Sequence, residues 1–181
     1  MSGIMGYATY LPYYRLQRAA IAATLGGPPA KGTRRVASYD EDSTSMAVGA
    51  ARRLLGHLPG DLASLCFATT TPGYLDKTNA TAVHAALGLP AGVGAYDMGG
   101  AVRSAMGLLA GAVASTRPSL VVAADIRTGL PGSEDERDGG DGAAAFLVGP
   151  GDDAHPVLAE CIAAGSATGE FLERWRVPGQ A

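Results

Sequence analysis

The side chains able to do chemistry in this sequence are few and scattered. Cys66 and Cys161 stand 95 positions apart (161 minus 66) and form no CxxC pair. Cys66 lies in the run Leu65-Cys66-Phe67, a strand interior where a thiol reads as a small buried hydrophobe, and Cys161 reads the same way. The three histidines do not cluster. His84 falls on a helix face beside Ala80 and Leu87 and reads as structural, and His57 and His155 read as turn residues. No metal site is assembled by spacing. The run Thr69-Thr70-Thr71-Pro72-Gly73-Tyr74 is more suggestive, because it follows a strand and opens a loop at that strand's carboxyl end, where open α/β sheets bind ligands. Its competing reading is a turn whose hydroxyls bond locally. Arg103 sits at the start of a helix, against the helix dipole, and if buried calls for a carboxylate or a phosphate. Asp97, Asp125 and Glu170 are the candidate partners, and an internal ion pair is preferred to a ligand contact. Next to it, Ser104 is a candidate nucleophile without an evident base. Gly139-Gly140-Asp141-Gly142 is no phosphate loop, since no lysine and no helix follow it.

The elements that position these groups alternate strand with helix. Strands are predicted at 3–9, 64–69, 93–97, 120–125, 143–148 and 157–164, and helices at 18–25, 78–87 and 101–114. A further helix begins after Asp40, Asp42 and Ser43, which suit a helix start. Met46, Ala50 and Leu54 then make one apolar row, with Ala47, Ala51 and Leu55 beside it. Gly26, Gly27 and Pro28 stop the first helix, and Gly88 ends the third. Segment 32–38 reads as a polar, mobile connection, and 130–142 as an acidic loop in which 133–141 is solvated. The pattern describes an α/β domain with a mostly parallel sheet.

Bulk properties exclude several roles. The chain has 181 residues, 47% of them hydrophobic and 17% charged, which suits one domain with a substantial core. A net charge of -3 gives no basic footprint for nucleic acid or an anionic membrane surface. No apolar run is long enough to span a bilayer, and the start carries no basic segment followed by an apolar one. Two unpaired cysteines suit a reduced, cytoplasmic setting.

In this order the strings GIMGYATYLPYYRL, RRVASYDEDSTSMAVGAARRLL, FATTTPGYLDKTNATAVHAALGLP, AYDMGGAVRSAMGLL, VVAADIRTGLPGSEDE, GGDGAAAFLVG and EFLERWRVPG resemble the thiolase-like condensing enzymes. The likeness is strongest to proteins of the 3-hydroxy-3-methylglutaryl-CoA synthase type and to ketoacyl-ACP synthases of the third type. The resemblance implies an α/β thiolase-like fold built from two similar halves, of which residues 1–181 form the amino-terminal one: a five-stranded, mostly parallel sheet flanked by helices. The carboxyl-terminal half is expected on a separate polypeptide, or in a longer chain of which this is a fragment.

The resemblance also fixes expectations for the chemistry. Relatives hold an acyl group on a cysteine five positions after the residue matching Asp97, and that place is taken here by Val102 (97 to 102). Their general-base glutamate, in an Ala-Thr-Glu string, is matched by Thr70. The remaining catalytic groups belong to the other half. As catalytic candidates there remain only Ser104 and Tyr74. As candidates for substrate binding, Thr70, Thr71, Tyr74, Arg103 and Arg137 follow, Arg137 because an arginine near this place helps hold coenzyme A in ketoacyl synthases. Asp125 and Arg127 resemble a segment near the subunit interface and pocket mouth.

The implied role is an acyl-thioester condensing or acyltransferase subunit, inactive alone, using coenzyme A or an acyl carrier as substrate and binding no cofactor covalently. Its partners would be a polypeptide with the second half, an OB-fold zinc-ribbon protein, or both, in a homo- or hetero-oligomer. Two alternatives stand beside it: a non-catalytic scaffold subunit, or an enzyme that makes or breaks C–C bonds without a cysteine, in which Tyr74 and Tyr96 would matter.

Overall fold

The apolar run around Val121 becomes the middle of the structure because both of its faces are covered. The computed structural model of the protein describes residues 2–28 and 30–170. In chain order the elements are β1 (Ser2–Tyr10), β2 (Tyr14–Gln17), α1 (Arg18–Leu25), β3 (Thr33–Val36), α2 (Ser43–Ala51), β4 (Ser64–Thr69), α3 (Asn79–Leu87), β5 (Gly94–Gly99), α4 (Ser104–Ala114), β6 (Ser119–Asp125), α5 (Glu134–Asp138), β7 (Gly142–Pro150) and β8 (Ala159–Glu160). One sheet runs β5-β4-β6-β7-β1-β8, and β2 and β3 form a separate hairpin. Strand β4 pairs parallel with β5 and β6, whereas β7 is antiparallel to both β6 and β1. Four of the five long strands therefore share a direction, with β7 reversed, and the two-residue β8 adds a short sixth strand antiparallel to β1.

Period-two alternation assigns each strand residue to one face. Leu120, Val122 and Ala124 of β6, with Ala145 and Leu147 of β7, pack with Met46, Ala47 and Ala50 of α2 and Ala80 and Val83 of α3. Val121 and Val148 point the other way, toward Ala112, Leu109 and Val113 of α4. Leu65 and Phe67 are fully buried in β4. Burying each contributes roughly 1.5–3 kcal/mol. Asp42 caps α2, its carboxylate accepting the Ser45 amide at 2.6 Å while the Ser45 hydroxyl accepts the Asp42 amide at 2.8 Å. Gly88 ends α3 at φ 64°, a conformation costly for a residue with a Cβ.

Several expectations need correction. The 32–38 connection contains β3, paired antiparallel with β2, and is ordered by tertiary bonds described below. The acidic loop contains the short α5, capped by the Ser133 hydroxyl. The strand expected over 157–164 is only Ala159–Glu160, because β8 finds partners on β1 only at Gly3 and Ile4. Helix α2 gives way at Arg52–His57 to a 3-10 turn, which buries Leu54 but turns Leu55 outward. Cys161 lies exposed beyond β8 and not within a strand, and Cys66 is only partly buried. Most of the string EFLERWRVPG falls outside the described residues.

Candidate functional site

The parallel strands β4, β5 and β6 end side by side at Thr69, Gly99 and Asp125. Asp125 Oδ1 accepts three hydrogen bonds from the neighbouring strand end: Thr69 Oγ1 at 3.1 Å, the Thr70 amide at 2.6 Å and Thr70 Oγ1 at 2.9 Å. Thr71 Oγ1 accepts the Ile126 amide at 3.1 Å, and the Thr71 carbonyl accepts the Ser43 hydroxyl at 2.6 Å. The threonine run thus ties β4 to β6 and to the start of α2. Across it, the Gly100 amide donates to the Thr69 carbonyl at 3.3 Å. The junction between β5 and α4 therefore lies against Thr70, so the structure brings the two positions singled out by the resemblance, Thr70 and Val102, to adjacent strand ends.

Asp97, on β5, does a different job. Its carboxylate accepts the Asn79 and Ala80 amides, each at 2.6 Å, and so caps α3, for which Thr78 offers no side-chain bond. Asn79 in turn accepts the Tyr74 amide at 2.9 Å, and Lys77 lies 4.7 Å over the Tyr74 ring. Tyr74 is held beside the strand ends with its ring half exposed. Ser104 opens α4, and its hydroxyl donates to the Gly99 carbonyl at 3.3 Å, with no base bonded to it among the described residues. Val102 and Arg103 form the turn before the helix, which starts at Ser104 and not at 101. The expected ion pair of Arg103 is absent among the described residues. Its guanidinium is exposed and reaches only Ser166 Oγ at 3.3 Å, because the amino end of α4 faces the open side of the sheet. Arg137 pairs with its neighbour Asp138 at 2.7 Å, which raises the arginine pKa and lowers that of Asp138. His84 Nε2 lies 3.1 Å from the Pro90 carbonyl, and His155 sits in a turn with Asp152, as structural histidines do.

Sequence reasoning missed a buried charge pair beside these strand ends. Arg34, 8% exposed, lies 3.5 Å from Asp141. Its guanidinium donates to the Glu136 carbonyl at 2.6 Å and the Arg127 carbonyl at 2.7 Å. Asp141 accepts the Ala37 amide at 2.7 Å and the Arg127 amide at 2.8 Å. Together they fasten β3 to α5 and to the segment after β6, around a polar cleft of about 320 Å³ that Glu41 and Ile126 also line. The string RRV carried no sign of this, since the partners come from distant segments. Among the described residues no cluster of His, Cys, Asp or Glu is arranged to hold a metal. The arrangement can orient a polar ligand through hydroxyls and amides. Among the described residues, the hydroxyls bonded to a carboxylate there are those of Thr69 and Thr70 on Asp125, and neither cysteine belongs to the site.

Helix α4 covers one sheet face, but nothing described covers its other side. It carries no charged residue, yet only Ala112 is buried. Val102 and Met106 are 67% and 64% exposed, and Met98 of β5 continues the patch, its sulfur lying against Gly107. A helix apolar all round belongs between two layers. Among the described residues no helix is long and apolar enough to cross a membrane.

No protein-family model matches the chain. It is 31% identical over 193 residues to the hydroxymethylglutaryl-CoA synthase of Aeropyrum pernix, covering 98% of this chain and 53% of that protein. The corresponding enzyme of Methanopyrus kandleri is 32% identical, with 98% and 54% covered. The chain spans about half the length of the curated relatives it matches. Among solved structures, MvaS in complex with 3-hydroxy-3-methylglutaryl coenzyme A superimposes with a TM-score of 0.74 at 25% identity, covering 82% of this chain and 40% of that one. The β-ketoacyl-[acyl carrier protein] synthase III of Thermus thermophilus gives 0.71 at 28%, covering 83% and 52%. With the mixed sheet, the strand-end site and the half-covered central helix in agreement, the chain is a thiolase-like protein, similar over about half of their length to condensing enzymes of the HMG-CoA synthase and ketoacyl-ACP synthase III types.

Proposed function

We propose that the chain is a subunit of an HMG-CoA synthase-like condensing enzyme, acting on acyl groups carried as coenzyme A or acyl-carrier thioesters, with a partner polypeptide that supplies the second thiolase-type half. The observation that carries this reading is the bare face of α4, an apolar surface that begins at Val102 beside the threonine run. The solved relative holding 3-hydroxy-3-methylglutaryl coenzyme A supports a CoA-linked substrate.

On this reading Val102 supplies no nucleophile and Thr70 no base. The chain's contribution is a rigid wall: Asp125 fixes Thr70, the Ile126 amide fixes Thr71, Tyr74 closes the side of the loop, and Arg103 offers positive charge beside Val102 for thioester-carrier phosphates. Covalent acyl transfer depends on groups the partner brings.

The test is co-expression with the polypeptide encoded beside it, followed by size-exclusion chromatography and an assay of thiol release from acyl-CoA. The expected result is a stable complex that turns over thioester, lost in Met106→Glu. That variant places a charge on a side chain already in water, so the isolated subunit keeps its circular dichroism. A chain that stays monomeric and soluble with any such neighbour, or a complex indifferent to Met106→Glu, refutes the proposal.

A further inference from the structure

A second concavity lies on the far side of the sheet from β5. Because β8 pairs with β1 only at Gly3 and Ile4, the segment at 154–158 stands away from the rest of β1 and leaves a cleft of about 570 Å³. Its floor is core: Met5, Leu54 and Leu147. Pro156 and Leu158 form the outer wall, and Tyr7 and Leu158 remain largely exposed at the mouth. In the sheet order, β6 and β7 separate β1 from β4. The cleft is therefore three strand spacings, about 14 Å, from the strand that carries Thr69.

The wall is fixed before any ligand arrives. Asp152 Oδ1 accepts the Ala154 amide at 2.9 Å and the His155 amide at 2.6 Å, and the Leu158 amide donates to the Ile4 carbonyl at 2.8 Å. Gly3 lets the wall approach β1, since a Cβ there would lie 2.1 Å from the Ala159 carbonyl oxygen. The polar lining has one character. Arg53 and His57 come from the 3-10 turn and His155 from the wall, and no carboxylate lines the cleft. Asp152 is engaged by its own turn, where its carboxylate also meets the His155 ring at 3.2 Å and leaves Arg53 and His57 as the cleft's available donors. Arg53 Nη1 donates to the Thr9 carbonyl, while Nη2 and Nε have no hydrogen bond among the described residues.

We infer that this cleft binds a medium-chain carboxylate, with the alkyl chain on Met5, Leu54 and Leu147 and the carboxylate at Arg53, assisted by His57. A preformed apolar cavity with a few convergent donors is the usual form of such sites, and a net negative chain that gathers its donors at one apolar mouth selects an anionic head. The inference does not rest on the partner-dependent activity.

Titration calorimetry of the full chain with decanoate tests it, with decanol and decylamine as controls. The expected result is one decanoate per chain, at least tenfold weaker binding of decanol, and no binding of decylamine. Arg53→Gln should weaken decanoate about tenfold, as loss of one charge-assisted bond implies. Ala154→Trp, at an exposed position of the wall, should abolish binding with circular dichroism unchanged. Absence of decanoate binding, equal affinity for decanol, or binding retained in Ala154→Trp but lost in Met106→Glu overturns the assignment.

Discussion

Replacing Arg34 by methionine tests whether the buried guanidinium holds the β2–β3 hairpin to the rest of the fold. The substitution keeps an unbranched apolar stem and deletes the charged head. Two short bonds to carbonyls disappear, to Glu136 at 2.6 Å and Arg127 at 2.7 Å, together with the 3.5 Å ion pair. The bond to the Asp135 carbonyl, at 3.5 Å, is too long to count for much. Bonds from a charged donor are worth roughly 1.5–3 kcal/mol each. Part of that is offset, because methionine also removes a guanidinium Nε that is buried without a partner. Asp141 keeps its two backbone amides but loses its counter-charge, and stripping one member of a buried pair costs about 3–5 kcal/mol. The net expectation is destabilisation by about 3–4 kcal/mol. At a urea dependence of about 2 kcal/mol per molar, the unfolding midpoint falls by about 1.5–2 M. Far-UV circular dichroism against urea measures it, and hydrogen exchange at the Ala37 and Arg127 amides, both bonded to Asp141, reports the local effect. Arg34→Lys should fall between, since one ammonium cannot serve two carbonyls and a carboxylate in a fixed fork. A loss below about 1 kcal/mol in Arg34→Met, or Arg34→Lys equal to the unaltered chain, refutes the clamp.

Two further outcomes follow from bonds already described. Asp97→Ala leaves the first amides of α3 uncapped and should cost about 1 kcal/mol in urea unfolding, with exchange quickening at Asn79 and Ala80 before anywhere else; uniform loss of protection would contradict the capping role. The Tyr10 phenol donates to Glu41, and that bond, followed by burial and the glutamate charge, raises its pKa above the usual 10.0. A raised folded-state pKa gives stability present below about pH 10 and lost as pH climbs through the folded value, so the unaltered chain should weaken above pH 10 while Tyr10→Phe loses less over the same range. Parallel pH profiles for the two would exclude the contribution.

What the sequence disclosed was local. Helix α1 ran from Arg18 to Leu25 as its breakers required, β4 from Ser64 to Thr69, and α3 stopped at Gly88, because Gly, Pro and apolar period act over a few residues. The hairpin was invisible for the opposite reason. Its strand YRLQ is exposed throughout and has no alternation to read, and its position is set by Arg34 reaching segments far along the chain. The strand-end site was half legible: the threonine run stood out, with local hydroxyl bonds as its competing reading, and one such bond is present, from the Thr71 amide to Thr69 Oγ1, while the Thr69 and Thr70 hydroxyls donate to distant Asp125. Asp125 as the shared acceptor of the Thr69 and Thr70 hydroxyls required the parallel register of β4 and β6. Arg103 misled because a cation at a helix start suggests a buried partner only if that helix end is enclosed.

Strand β1 occupies a place in the sheet that its own end of the chain cannot complete. Its long partner is β7, and its short one is β8, both made from the last quarter of the described residues. While the polypeptide is being synthesised, β4, β5 and β6 can associate as soon as they emerge, but β1, although it can pack on α2, has no strand to pair with until β7 is available. Strand β1 therefore emerges before the other described strands of its sheet yet is among the last to be hydrogen-bonded into it, and Ile4 and Met5 lack strand neighbours through that interval. A chain interrupted before β7 would leave that edge unpaired permanently, which makes termination there more hazardous than loss of an equal length from the middle of the sequence.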